Sequence, residues 1–142
     1  VSSVAIYGGN DGIRFEQEKK GLTLGADVVI ATPGRLISHL SLGYVDLSKV
    51  SFFILDEADR MLDMGFADDI MQIVKYLPKK RQTIMFSATM PAKIQQLAKT
   101  ILQNPVEVKL AVSKPAEKII QAAYTFEQTR TYEAPQFVKE GR

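Results

Sequence analysis

VSFFILDEADRMLDMGF, residues 50–66, passes from apolar to acidic in a single step. Phe52, Phe53, Ile54 and Leu55 make a short continuous apolar run, the pattern of a strand buried on both faces of a parallel sheet. Asp56, Glu57 and Asp59 fall where such a strand ends, and open α/β folds bind ligands at that carboxyl edge. An acidic cluster there suits a divalent cation. Hydrolysis of a nucleoside triphosphate needs one carboxylate to fix Mg²⁺ and another polar group to orient the attacking water. Asp56 and Glu57, being adjacent, supply both from one strand end. The plain alternative is that these acids merely favour the first turn of a following helix.

The flanking sequence repeats the arrangement of apolar run followed by functional end. Upstream, Val4 to Tyr7 read as a strand that stops at Gly8-Gly9-Asn10-Asp11-Gly12, a turn whose backbone can approach another molecule closely. Asp27-Val28-Val29-Ile30 reads as a second strand, and it leads into Thr32-Pro33-Gly34-Arg35. Thr32 suits an N-cap and Pro33 a first helical position, so Gly34 and Arg35 stand at a helix N-terminus, where unpaired N–H groups and an added guanidinium attract phosphate. Downstream, Gln82 to Phe86 is a strand ending in Ser87-Ala88-Thr89. Helical spacing marks Ile70, Ile73, Val74 and Leu77, closed by Pro78, and again Ile94, Leu97, Ala98 and Ile101 after Pro91. A last edge strand is expected over Val106–Leu110. The segment Ile13–Leu24 reads as a polar surface helix with solvated charges and no assigned chemistry. His39, with no partner in sequence, reads as a surface residue. Lys79-Lys80-Arg81 reads as a solvated turn.

Asp56-Glu57-Ala58-Asp59, with the following Arg60-Met61-Leu62-Asp63-Met64-Gly65-Phe66, resembles motif II of the DEAD-box ATP-dependent RNA helicases. The tetrad by itself arises by chance in such a chain roughly one time in a thousand. Thr32-Pro33-Gly34-Arg35 is similar to the family's motif Ib, Ser87-Ala88-Thr89 to its motif III, and Gly8-Gly9 to its glycine pair, in the same order. The resemblance implies an α/β fold, a partial RecA-like domain of P-loop NTPase type, with a mostly parallel sheet and flanking helices. It implies that Asp56 holds Mg²⁺ through water and that Glu57 orients the attacking water. Asp59 is then tied through Ser87, Ala88 and Thr89 to the remainder of the site. Gly8, Gly9, Thr32, Pro33, Gly34 and Arg35 face the RNA backbone, with little base selectivity.

Composition sets the outer bounds. The chain has 142 residues, 46% hydrophobic and 24% charged, enough for one core. A net charge of +2 does not by itself announce a nucleic-acid binder. Without cysteine there is no disulfide frame or thiolate metal site. The apolar runs fall far short of the roughly 20 residues that cross a bilayer, so no membrane partner is expected. No secretory signal opens the chain, and an intracellular, cytoplasmic setting is expected.

No Gly-x-x-x-x-Gly-Lys-Ser/Thr loop occurs, and such a loop holds the phosphates in P-loop ATPases. The expectation is a fragment. Residues 1–112 would be the C-terminal half of the first RecA-like domain, and residues 113–142 a linker-like segment with a divergent tail. ATP and Mg²⁺ belong to the parent helicase, and the missing loop argues against their binding by this chain alone. The alternative is a non-catalytic truncated module that binds RNA or a protein partner. Exposed sheet edges also allow self-association.

Overall fold

The structure, a computed structural model, describes residues 1–9 and 12–110. Its elements run β1 (Ser3–Ile6), α1 (Gly12–Leu24), β2 (Val28–Ala31), α2 (Pro33–Ser41), β3 (Phe52–Leu55), α3 (Ala58–Asp63), α4 (Ala67–Val74), β4 (Gln82–Met85) and α5 (Ala92–Ile101). The alternation of strand and helix gives parallel pairing, because each crossover returns the chain to the same end of the sheet. β1 pairs with β2 from Ser3↔Val28 to Ile6↔Ala31, and β3 with β4 from Phe52↔Gln82 to Leu55↔Met85. The expected α/β class holds, with parallel strands and flanking helices.

Among the described residues the strands form two separate two-stranded sheets, where the sequence suggested one. The strands are also less buried than the apolar runs implied. Val28, Val29 and Ile30 of β2 are exposed, as are Phe52 and Ile54 of β3. A strand with one covered face buries alternate residues, and β3 does so, with Leu55 buried and Phe53 half-buried. Continuous hydrophobicity reported a capacity for two-sided burial that this pair of strands does not use.

The principal core lies between β3, α4 and α5. Leu55, Ile70, Leu97 and Ile101 are buried together, with Phe53, Met61, Leu62, Met71, Val74, Met85 and Leu102 against them. Ile70 and Ile73 form the inner face of α4, and Ile94, Leu97 and Ile101 that of α5. α4 ends at Val74 and its last residues turn through Leu77, ahead of Pro78. α2 packs on α4, α3 on α5, and α1 on β1. Gly21 permits the last contact: a Cβ there would stand 2.8 Å from Cγ2 of Val4.

Three expectations are corrected. The α1 helix is not wholly solvated, since its Glu18 is 3% exposed. His39 is not a surface residue but is fully buried. Both burials have one cause, a mutual ion-and-hydrogen-bond cluster described below. Finally, Val106–Leu110 forms no strand, and Val106, Val108 and Leu110 are exposed. Alternating apolar residues suit an edge, but no described strand lies against these. By compactness the chain divides at Val106, and residues 107–110 are the described part of the second unit. Asn10, Asp11 and the expected linker and tail over 113–142 lie outside the described residues.

Candidate nucleotide and RNA site

The acidic end of β3 is fastened to the hydroxyl end of β4 by backbone first. Phe86 N–H donates to Leu55 C=O at 2.8 Å, and Ala58 N–H donates to Phe86 C=O at 3.0 Å. Ala58 is fully buried at that crossing. The chain turns sharply between these bonds, and Glu57 takes up the turn with φ 49° and ψ 46°, at the N-cap position of α3. Left-handed backbone is costly for a non-glycine residue, on the order of 1 kcal/mol. The strained turn leaves both the Asp56 and Glu57 side chains in solvent. Asp56 Oδ1 accepts the Glu57 N–H at 2.9 Å, and Glu57 Oε2 stands 3.6 Å from Arg60 Nη1, an exposed pair worth little.

Asp59 faces β4. Its Oδ2 accepts from Thr89 Oγ1 at 2.9 Å and from Thr89 N–H at 3.0 Å, and its Oδ1 accepts from Arg60 N–H at 3.0 Å. Ser87 Oγ donates to Thr89 C=O at 2.7 Å, which shapes the loop that presents Thr89. The Thr89 hydroxyl, foremost, and the Arg60 and Thr89 amides hold the Asp59 carboxyl below its ordinary range, against a smaller opposing effect of desolvation. Ala88 lies exposed between the two hydroxyl residues.

For Mg²⁺ the donor set is suitable but sparse. No group of three or more His, Cys, Asp or Glu gathers among the described residues. Mg²⁺ in phosphoryl-transfer sites takes one or two carboxylates plus substrate phosphates and water, so an exposed Asp56 with one oxygen bonded internally fits that role.

At the other pair of strand ends, Thr32 N–H donates to Ile6 C=O at 2.9 Å, which aligns the end of β1 with the start of α2. Thr32 is the N-cap by backbone, extended at φ −82° and ψ 143°, although its side chain makes no capping bond. Pro33 opens α2, leaving the N–H groups of Gly34 and Arg35 in the first turn, where no intrahelical acceptor is available. Gly8 and Gly9 are exposed beyond β1, with open space where a Cβ would stand. A cleft lined by Lys79, Arg81, Gln103 and Asn104 lies near the beginning of β4, away from these ends.

Arg35 does not reach into solvent. Its Nε donates to Glu18 Oε2 at 2.7 Å, its side chain is 16% exposed, and its guanidinium lies 4.5 Å over the Phe15 ring. His39 Nε2 also donates to Glu18 Oε2, at 2.8 Å, and its ring stacks on Phe15. Because a carboxylate only accepts, Nε2 carries a proton in this contact, and Nδ1 shares a hydrogen bond with the Tyr44 hydroxyl. Burial, with Glu16 and Glu18 nearby, pushes the Tyr44 phenol up and keeps it a donor. Tyr7 N–H completes the set, donating to Glu18 Oε1 at 3.2 Å. Burial works to raise the Glu18 pKa, yet the bonds from His39, Arg35 and Tyr7 prevail and lower it.

Sequence reasoning passed over Glu18. A signal was present: Arg35 and His39 are four apart on α2, hence on one face, and two such donors turned inward require an acceptor.

Parallel strands, flanking helices and an acid at one strand end bonded to a hydroxyl at the next define part of a RecA-like helicase domain. The comparisons agree. The family model described as DEAD/DEAH box helicase matches residues 1–97. The chain is 48% identical over 110 residues to DEAD-box ATP-dependent RNA helicase 9 of Oryza sativa subsp. japonica, covering 78% of this chain and 17% of that protein. It is 41% identical over 124 residues to ATP-dependent RNA helicase DeaD of Escherichia coli (strain K12), covering 87% of this chain and 19% of that protein. A crystal structure of a hypothetical ATP-dependent RNA helicase from Sulfolobus tokodaii superposes with a TM-score of 0.65 at 38% identity, covering 72% of this chain and 30% of that one. The chain belongs to the DEAD/DEAH box helicase family, within its DEAD-box RNA helicases. It spans 17% and 19% of the length of the two curated relatives.

Proposed function

We propose that this sequence works as part of an ATP-dependent RNA helicase, contributing the acidic half of the nucleotide site and one RNA-facing edge. The observation that carries the reading is the Asp59–Thr89 pair, which joins the acidic strand end to the hydroxyl strand end. Mg²⁺ would neutralise charge developing on the transferred phosphoryl group. Asp56 would hold the ion through water, and Glu57 would orient and help deprotonate the attacking water. Asp59, with Ser87, Ala88 and Thr89, transmits the state of that site to the β4 loop.

Gly8, Gly9, Thr32, Pro33 and Gly34 form the RNA-facing edge, with Arg35 at the same end of α2 and its guanidinium turned toward Glu18. Contacts of this kind address phosphates, so base selectivity is low and salt dependence marked. In the helicase carrying this sequence, Glu57→Gln should stop RNA-stimulated ATP hydrolysis while ATP binding persists. Unchanged turnover refutes the assignment. We place this activity inside the cell, in the cytoplasm.

A second reading is favoured by the lack of a phosphate-holding glycine-lysine loop in the 142 residues. In it the chain alone is a module that binds RNA or a protein partner without hydrolysing ATP. Its RNA affinity would then be indifferent to ATP, whereas nucleotide-dependent affinity excludes it. Each two-stranded sheet among the described residues has unpaired strand edges, and self-association through them is a separate, third reading. Mass that rises with concentration tests it.

A further inference from the structure

Glu18 is a buried carboxylate on a helix that carries none of the proposed phosphate contacts. Its two oxygens nevertheless bond both parts of the RNA-facing edge. Oε1 takes the N–H of Tyr7, immediately before Gly8-Gly9, and Oε2 takes Arg35 and His39 from α2. Phe15, one turn earlier on α1, lies under the Arg35 guanidinium and the His39 ring. Arg35 Nη2 is buried without a hydrogen-bond partner, so the packing that holds this guanidinium leaves both N–H donors of that nitrogen unbonded.

We propose that Glu18 is a positioning residue that fixes the Gly8-Gly9 turn relative to Thr32-Pro33-Gly34, with Arg35 serving as an internal strut and not as a phosphate ligand. The inference rests on the RNA reading above and revises one residue within it. Phosphate is then met by backbone N–H groups at the ends of β1 and β2. The charge of Arg35 is spent inside the protein on Glu18.

The two roles for Arg35 differ in salt dependence. A cation paired with a phosphate releases counterions, so its removal lowers the slope of log K against log salt by about 1, whereas loss of a strut leaves the slope alone. The experiment is RNA binding by the full chain, followed by anisotropy of a short labelled single-stranded RNA at several salt concentrations. The variants are Glu18→Gln, Arg35→Met and the double substitution. Each single variant should weaken binding about tenfold, and the double about tenfold again in total and not a hundredfold, because the residues act as one unit. All slopes should match the unaltered chain. A slope reduced by Arg35→Met, or tighter binding in Glu18→Gln, overturns the proposal.

Backbone amide NMR shifts of Tyr7, Gly8, Gly9 and Gly34 in Glu18→Gln give a readout that needs no RNA. They should move, and unmoved shifts also overturn it. If the unaltered chain binds no RNA, the RNA reading fails, while the amide shifts still decide whether Glu18 positions the edge.

Discussion

Replacing Glu18 by Ala removes a single acceptor residue from three donors: Arg35 Nε, His39 Nε2 and the Tyr7 amide. His39 is fully buried and the Arg35 side chain is 16% exposed, so neither regains full hydration. Breaking a buried pair by deleting one partner costs about 3–5 kcal/mol, and the partial exposure of Arg35 argues for the lower end, about 3 kcal/mol. In urea, with a slope of about 1–3 kcal/mol/M for a small domain, the midpoint should fall by about 1–3 M. Far-UV circular dichroism during a urea titration measures it.

The pH dependence supplies a second arm. The folded pKa of Glu18 lies below its ordinary value of 4.5, so the unfolded chain takes up the proton first as pH falls. The stabilisation is therefore whole above about pH 4.5 and is lost as pH falls through the lower folded pKa. Glu18→Gln should flatten that acid limb. A loss under about 1 kcal/mol in Glu18→Ala, with an acid limb unchanged in Glu18→Gln, would refute the reasoning, since a well-hydrated surface carboxylate behaves that way.

Thr89→Val removes the strongest influence lowering the Asp59 pKa and should move it back up toward 3.8, read by carboxyl ¹³C titration. An unmoved value would break the Asp59–Thr89 link. Glu57→Gly relieves the left-handed backbone and should stabilise the fold by about 1 kcal/mol in urea while abolishing hydrolysis in the helicase carrying this sequence. Loss of stability would mean that the turn is not strained. Ile70→Ala empties a fully buried site in the main core and should cost about 3 kcal/mol in the same titration.

Much of the fold was legible because its signals are local. Apolar runs of strand length, Pro33 and Pro91 at helix starts, and the Ile70–Ile73 and Ile94–Leu97–Ile101 spacings each lie within one element. Those patterns brought the acidic, hydroxyl and glycine-rich segments to strand ends, and the structure puts them there. What local pattern does not contain is partnership at a distance. Val106–Leu110 alternates like an edge strand, yet alternation does not provide a neighbouring strand. The apolar runs of β2 and β3 allow two-sided burial, but which faces are covered depends on the other layers.

Sequence alone determined the α/β class, the family and the order of the candidate site segments, because each is encoded by a short contiguous string. Tertiary structure alone decided the fate of charge. Glu18 and Arg35 are 17 positions apart, and both belong to residue types that are normally solvated. Their burial became possible only when α1 and α2 brought one carboxylate against the guanidinium, the imidazole and the Tyr7 amide, since an ionised group leaves water only when its partners await it.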